Sequence, residues 1–189
     1  MIDKRRLRQT ILKDLHRQSA ALRVRKSRVI TQKLTRLAAY RQAKDVLCYV
    51  SVREEVDTRS LLRRILRSGR RLSVPVALPD GKLIACRVRN LEKDLKTIGL
   101  FGIPHPSVAR RRQVKPADLD LVILPGVAFD AEGYRLGRGK GYFDRYLEKL
   151  PGDVWRVALA FETQIVAQVP HEPHDQKVCR VVTEKRVLR

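Results

Sequence analysis

The sequence has few aromatic residues, few acidic residues and no long hydrophobic run. The shortage of aromatic residues and the lack of a long hydrophobic run each exclude a class of protein. Aromatic residues make up 5% of the 189 residues and form no run of the kind that stacks on RNA bases. No apolar stretch approaches the roughly 20 residues that cross a bilayer, and the cationic N-terminus lacks the apolar core of a secretory signal. We therefore expect a protein of the cytoplasm.

Cysteine is also scarce, with three residues that stand far apart among valine, leucine and isoleucine: Cys48, Cys86 and Cys179. None has the CxxC spacing of a zinc ribbon or a redox pair. The odd number and the apolar surroundings predict buried, reduced thiols, as is usual in the cytosol.

Recognisable metal and nucleophile motifs are missing as well. His171, Glu172, His174 and Asp175 superficially resemble a metal site, but prolines interrupt the segment and no third nitrogen or sulfur ligand is nearby in the sequence. No serine or cysteine lies in a nucleophile elbow. We expect neither a zinc site nor covalent catalysis.

Basic residues are abundant: lysine and arginine outnumber aspartate and glutamate by 41 to 20, for a formal net charge of +21. Such a balance predicts attraction to polyanions such as nucleic acid, anionic lipid or nucleotides. The charges recur in runs at residues 4–8, 23–28, 63–71 and 110–112, mostly with apolar residues at helical spacing between them. This favours solvated helix faces, with non-specific adhesion to nucleic acid as the alternative.

The apolar pattern predicts one α/β domain over residues 1–189, with a largely parallel sheet covered on both sides. Helices are expected in residues 3–39 (two, with a break near Ser19), 59–68, 141–150 and 163–168. Strands are expected at residues 46–50, 71–78, 83–88, 121–124, 155–161 and, as the last strand, 181–183. Glycines and prolines make residues 91–113 an extended covering segment.

Residues 119–147, LDLVILPGVAFDAEGYRLGRGKGYFDRYL, join a predicted strand to a predicted helix through a loop rich in glycine and cations. Glycine lets the backbone approach a ligand, and the N-terminus of a helix adds positive potential. The loop matches neither the P-loop nor the GxGxxG dinucleotide motif. A flexible turn with surface cations is the alternative, but Tyr142 and Phe143 can stack on a ring and Asp144 could meet Mg²⁺. We predict a polyphosphate site here.

A second candidate segment, residues 54–58, is acidic and follows the first predicted strand. Ligands in open α/β sheets bind outside the carboxyl ends of strands, which makes Glu55 a candidate ligand-binding residue. The alternative is that these acids cap the next helix, and Asp57 or Thr58 suits that role best.

Several of these segments together resemble the 5-formyltetrahydrofolate cyclo-ligase family, also called methenyltetrahydrofolate synthetases. The resemblance rests, in order, on KRRLR at residues 4–8, EEVDT at 54–58, the glycine segment, and residues 169–178. It covers nearly the whole chain. It implies the family's fold, a single three-layer α/β/α sandwich with a mainly parallel sheet.

The resemblance also implies an ATP-dependent ligase of one-carbon metabolism. ATP would phosphorylate the formyl oxygen of 5-formyltetrahydrofolate, and N10 would then attack the activated carbon. ADP would be released in the first step and phosphate in the second, giving 5,10-methenyltetrahydrofolate. Phosphoryl transfer depends mainly on positioning and charge neutralisation, which a loop of glycines and cations provides.

The family's site residues map by position onto this sequence. Catalysis would fall to Lys140 and Arg138, and Asp144 with Asp175 would hold Mg²⁺. ATP would be bound by Lys4, Arg8, Arg135, Leu136, Gly137, Arg138, Gly139, Lys140, Gly141, Tyr142 and Phe143. The folate would be bound by Val50, Glu55, Phe101, Arg138, Gly139, Lys140, Gly141 and Tyr142.

Two departures from the family pattern stand out: Phe143 replaces a second tyrosine common in the family, and Cys179 replaces an acid. The residues expected to act are nevertheless present, which favours a working enzyme. We expect a monomer that takes 5-formyltetrahydrofolate and ATP, with no membrane partner. A nucleic-acid-binding protein on the same scaffold is the competing hypothesis, motivated by the net charge of +21.

Overall fold

The computed structural model describes residues 3–52, 54–107, 112–172 and 175–189. In these residues the helices are α1 (Lys4–Arg17), α2 (Ala20–Leu34), α3 (Ala38–Gln42), α4 (Arg59–Arg67), α5 (Leu91–Asp94) and α6 (Tyr142–Leu147). The strands of the main sheet are β1 (Asp45–Cys48), β2 (Arg71–Ala77), β3 (Leu83–Val88), β6 (Gln113–Val114), β7 (Leu121–Leu124), β10 (Trp155–Leu159), β11 (Arg180–Val182) and β12 (Val187–Leu188). Two short hairpins pair β4 (Thr97–Ile98) with β5 (Pro104–His105), and β8 (Ala128–Phe129) with β9 (Arg135–Leu136).

The main sheet is parallel at its centre and antiparallel at both edges. Its strand order is β12-β11-β10-β7-β1-β2-β3-β6. The five strands from β11 to β2 run parallel, with Leu47 of β1 opposite both Val122 of β7 and Ser73 of β2. The outer strands β12, β3 and β6 pair antiparallel with their neighbours. The mainly parallel α/β sheet predicted from the sequence is therefore confirmed.

The central strands of the sheet are buried on both faces, and their alternate side chains enter different cores. In β7, Leu121 and Ile123 join the core that holds the buried faces of α1 to α4. Val122 and Leu124 of the same strand join the opposite core, which contains Tyr146 and Leu147 of α6. A strand covered on both faces is continuously apolar rather than alternating, which is why these runs were recognisable. The result is an α/β/α arrangement.

Several predicted boundaries are wrong. Helix α6 ends at Leu147 instead of 150, and α3 was not predicted. Residues 163–168 do not form a helix; a single 3₁₀ turn, Glu162–Gln164, lies there instead. The last strand is β12 and not residues 181–183. Of the three thiols predicted to be buried, those of Cys48 and Cys86 are buried and that of Cys179 is half-buried.

The segment expected to be an extended cover is more structured than predicted. It holds α5, the β4–β5 hairpin and the edge strand β6, while part of it, residues 108–111, lies outside the described residues. Glycine and proline indicated a loop, but they could not show that a hairpin folds back through the pairing of Thr97 with His105. None of the described helices is long and apolar enough to cross a membrane.

Candidate active site

A cavity opens at the carboxyl ends of the central strands. Its wall includes Val52 and Glu55 from the loop after β1, Ala77 at the end of β2, and Pro125 and Gly126 directly after β7. Strands β1 and β7 are the neighbours from which the strand order runs in opposite directions. In open α/β sheets this switch point is where ligands bind. The cavity measures about 180 Å³, so it can enclose a ring-sized part of a ligand and not two whole substrates.

The glycine loop forms the rim of this cavity and leads into α6. Gly139 and Gly141 have φ values of 98° and 66°, in the left-handed region that favours glycine, and Gly141 is the N-cap of α6. Gly137 is needed for a different reason, because a Cβ there would lie 2.9 Å from Nη1 of Arg135. The glycines of this loop are thus required by its backbone conformation and by the close approach of Arg135.

Arg135 and Asp144 form an ion pair at the base of the loop. The side chain of Arg135 is only 3% exposed, whereas that of Asp144 is 26% exposed and lines the cavity. A Cβ on Gly126 would come within 2.9 Å of Cγ of Arg135, so the arginine is confined by close packing as well. A buried guanidinium needs an ionised partner, and this one fixes the position of the Asp144 carboxylate.

Arg138 connects the glycine loop to the acidic segment after β1. Its Nη2 donates to Glu54 Oε2 at 3.2 Å, and its Nε lies 3.6 Å from Glu55 Oε1. Glu55 Oε2 also accepts a hydrogen bond from the backbone N–H of Val52 at 3.0 Å. Arg138 therefore faces two carboxylates across the mouth of the cavity.

The two glutamates have opposite pKa shifts. Burial raises the pKa of Glu55, and the Val52 N–H and the charge of Arg138 offset only part of this effect. Burial also opposes ionisation of Glu54, but the hydrogen bond and charge of Arg138 outweigh it and lower the pKa. Arg138 thus favours the ionised form of both glutamates, and its effect outweighs burial only at Glu54.

Helix α1 supplies the cations on the other side of the loop. Arg8 Nε donates to the carbonyl of Gly137 at 2.8 Å, and its guanidinium lies against Gly139. One turn earlier, Lys4 Nζ donates to Asp175 Oδ2 at 2.9 Å and to Glu172 Oε1 at 3.0 Å. Burial opposes the charge on Lys4, but these carboxylates outweigh it and raise its pKa. Lys4 and Arg8 are one helical turn apart and so share one face of α1.

Phe101 and Tyr142 face each other above the cavity. Their rings meet edge to face, with centroids 5.9 Å apart. Phe101 lies between β4 and β5, is 58% exposed and has a φ of 64°, which is rare for an aromatic residue. The hydroxyl of Tyr142 donates to the carbonyl of Leu78 at 3.1 Å and so ties α6 to the end of β2. An exposed, strained aromatic at the mouth of a cavity indicates a contact for a ligand.

Most residues expected from the sequence lie at this cavity, and others lie near it. Those that line it are Glu55, Phe101, Arg135, Gly137, Arg138, Lys140, Gly141, Tyr142, Phe143 and Asp144. Leu136 and Val50 are buried instead, and both belong to the core beneath α1 to α4. Val52, two residues after Val50, lines the cavity in its place.

Sequence reasoning missed the apolar wall and one histidine. The residues concerned, besides Val52, are Pro75, Val76, Ala77, Leu83, Leu100, Ile103, His105, Pro125 and Gly126. Their position after or at the end of strands was a usable signal for some of them, because the carboxyl edge of the sheet is where a site forms. His105 carried no such signal.

The expected magnesium ligands are both engaged with cations. Asp144 pairs with Arg135, and Asp175 with Lys4. Among the described residues, no three His, Cys, Asp or Glu side chains form a group that could hold a metal by themselves. Magnesium in a nucleotide site needs only one or two carboxylates, since phosphates and water complete its shell. Asp144, which lines the cavity, supplies one such carboxylate, and Asp175 lies beside Lys4 of α1. Pro173 and His174 of the segment considered for zinc lie outside the described residues.

The fold and the site together are those of an α/β protein with a cavity and a cation-rich glycine loop at the switch point of its sheet. Comparison with known proteins specifies the class further. The 5-formyltetrahydrofolate cyclo-ligase family matches residues 1–184. The chain is 33% identical to mouse 5-formyltetrahydrofolate cyclo-ligase over 96% of this chain and 93% of the mouse protein. It is 31% identical to the 5-formyltetrahydrofolate cyclo-ligase of Escherichia coli K12 over 82% of this chain and 88% of that protein.

A solved structure gives the same result. The NMR structure of Aquifex aeolicus 5,10-methenyltetrahydrofolate synthetase resembles this chain with a TM-score of 0.86 and 34% identity, covering 98% of this chain and 92% of the other. The chain belongs to the 5-formyltetrahydrofolate cyclo-ligase family, ligases that use ATP to convert 5-formyltetrahydrofolate to 5,10-methenyltetrahydrofolate. The resemblance drawn from the sequence is confirmed.

Proposed function

We propose that this chain carries out the family's reaction in the cavity at the carboxyl ends of β1, β2 and β7. The observation that supports it best is the pairing of Arg138 with Glu54 and Glu55, at 3.2 and 3.6 Å. It joins the glycine loop, which suits phosphate, to the acidic segment, which suits the nitrogen donors of a pterin. The two halves of a two-substrate site therefore adjoin.

The pterin of 5-formyltetrahydrofolate enters the cavity, whose wall is mostly apolar and whose volume suits a ring system. Glu55 accepts hydrogen bonds from the pterin nitrogens, a role that its raised pKa and partial exposure support. Phe101 and Tyr142 cover the pterin ring from the mouth of the cavity. Because these two side chains meet edge to face, each keeps part of its ring free to contact the pterin.

ATP lies along the rim, with its phosphates over the glycine loop. Lys4 and Arg8 approach from α1, and the backbone from Gly137 to Phe143 contributes N–H groups and the start of α6. Lys140, exposed at the cavity mouth, and Arg138 stabilise negative charge on the transferred phosphoryl group. Arg138 can turn from the glutamates to the phosphates because its side chain is 47% exposed.

The reaction proceeds in two steps. The formyl oxygen attacks the terminal phosphorus of ATP and releases ADP, which turns a poor leaving group into phosphate. N10 then attacks the activated carbon, the ring closes, and phosphate departs. The chain's contribution is to align the two substrates and to neutralise charge, which is the usual basis of phosphoryl-transfer catalysis.

Mg²⁺ is the proposed cofactor, held by Asp144 and Asp175 together with the phosphates. When bound, it would neutralise phosphate charge. Asp144 is positioned for this by Arg135, and Asp175 by Lys4 and by the backbone N–H of Glu172, 2.9 Å from Oδ2. Arg135 contacts Oδ1 of Asp144 and Lys4 contacts Oδ2 of Asp175, so each cation engages one oxygen of its carboxylate.

We further propose that the enzyme acts as a monomer in the cytoplasm and that its overall net charge produces non-specific adhesion to nucleic acid. Gel filtration with light scattering tests the first statement. RNA binding that weakens steeply with salt and ignores sequence supports the second, whereas sequence-dependent binding that survives physiological salt would favour the competing nucleic-acid role.

The deciding experiment follows the ultraviolet absorbance of the methenyl product from 5-formyltetrahydrofolate. Product should form with ATP and Mg²⁺, should not form without ATP, and should decline when EDTA is added. Absence of product at micromolar enzyme with all components present would contradict the proposed function.

A further inference from the structure

A second cavity lies between α2 and α4, away from the site described above. We name it the arginine groove after its main lining side chains: Arg28 of α2 and Arg63, Arg64 and Arg67 of α4. Its volume is about 510 Å³, within the range of pockets that hold small ligands. Among the residues that the structure describes, none lines both this cavity and the one at the end of the sheet.

The groove concentrates positive charge without internal compensation. Within the described part of the chain, none of its four arginines forms an ion pair. Asp57 is the one carboxylate among its described lining residues, and that side chain is already paired with Arg59 at 2.7 Å. Arginines that face one another across a cavity repel unless an anion lies between them.

Thr31 of α2 also lines the groove, but it is only 9% exposed, and its Oγ1 is buried without a hydrogen-bond partner among the described residues. A hydroxyl without accessible surface is out of reach of a ligand in an open groove. The four exposed arginines are therefore the groups that a ligand in the groove would contact.

We propose that the arginine groove binds a compact oligophosphate, an anion with at least two linked phosphate groups. Guanidinium groups form paired hydrogen bonds with phosphate, and Arg63 and Arg67 lie one turn apart on α4 so that both can reach one ligand. Arg28 approaches from the opposite helix. A bounded cavity between two helices favours a small anion over a nucleic-acid strand, which needs an extended surface.

The test is calorimetric titration of the full-length protein with inorganic tripolyphosphate at physiological salt. The wild type should bind two equivalents, one in the nucleotide site and one in the groove. In the double variant Arg63→Gln/Arg67→Gln, the affinity of the groove for tripolyphosphate should fall at least tenfold. The ATP-dependent turnover of this variant should equal that of the wild type. The control Lys115→Gln/Lys149→Gln removes the same charge from exposed positions outside both cavities and should bind as the wild type does.

Two results would overturn the proposal. One is equal binding by the wild type and Arg63→Gln/Arg67→Gln, or an equal loss in that variant and in the lysine control. The other is a single-stranded RNA that binds the groove more tightly than tripolyphosphate at the same phosphate concentration and is lost in the arginine variant. That outcome would assign the groove to nucleic acid.

Discussion

The buried guanidinium of Arg135 and the cavity-lining carboxylate of Asp144 form an ion pair nine positions apart in the sequence. One member is almost inaccessible and confined by glycines, and the other faces the cavity. The pair therefore links the stability of the fold to the position of a proposed metal ligand. Arg135 acts through Asp144, and we regard it as a positioning residue rather than as a direct contact to phosphate.

Asp144→Asn should reduce both stability and activity. The neutral amide leaves the Arg135 charge buried and unpaired, which should cost on the order of 3 kcal/mol in the free energy of unfolding. Turnover should fall at least 100-fold, and the Mg²⁺ concentration for half-maximal rate should rise. Urea denaturation and Mg²⁺-dependent kinetics measure the two effects. Asp153→Asn, at an exposed position, is the matched control and should change neither. A stable, fully active Asp144→Asn enzyme would refute both roles.

Lys140→Ala should affect turnover and leave stability almost unchanged. Lys140 is exposed in the glycine loop, and removing one charge that stabilises a transferred phosphoryl group costs roughly 10²–10³ in rate. The absorbance assay gives the rate, and a thermal melt gives the stability. Lys149→Ala, exposed just beyond α6, should behave as the wild type. Normal turnover with a large fall in melting temperature would mean that Lys140 is structural.

How much of the fold and of the candidate site could be predicted depends on the kind of signal that the sequence carries. The buried strands were recognisable because both faces are covered, so that Leu121 to Leu124 are all apolar. The glycine loop was recognisable because left-handed backbone at Gly139 and Gly141 requires that residue type. Helix α3 was missed because its five residues are too few to show a period.

The side-chain partners in the site were not predictable, because they depend on tertiary contact. An arginine in a loop of glycines is normally solvated, and nothing in the sequence shows that Arg135 is buried beneath Gly126 and Gly137. The pairing of Arg138 with Glu54 joins residues 84 positions apart. The arginine groove was likewise hidden, because its basic runs were indistinguishable from solvated helix faces.

Glu54 and Glu55 should make opposite contributions to stability as pH changes. The folded state raises the pKa of Glu55, so its ionised form costs stability above its ordinary value of 4.5 and costs nothing well below it. The folded state lowers the pKa of Glu54, so that residue stabilises the fold above 4.5 and loses this effect as pH falls through its folded pKa.

Thermal melts of Glu55→Gln and Glu54→Gln at pH 7 and near pH 4 test this reasoning. At pH 7 the Glu55 variant should melt above the wild type and the Glu54 variant below it, and both differences should shrink at the lower pH. Glu55→Gln should also raise the KM for the folate substrate, because the pterin loses a charged acceptor. Shifts of the same sign in the two variants would contradict the opposite pKa shifts of the two glutamates.

Phe101 offers a test in which two substitutions separate backbone strain from substrate contact. Its φ of 64° suits glycine, whereas alanine keeps the strain, so Phe101→Gly should be about 1 kcal/mol more stable than Phe101→Ala. Both variants lose the ring that meets Tyr142 at 5.9 Å, so both should raise the KM for 5-formyltetrahydrofolate by about tenfold. The KM for ATP should change little. If the two variants differ in folate KM as much as in stability, backbone conformation and not the aromatic ring determines substrate binding at this position.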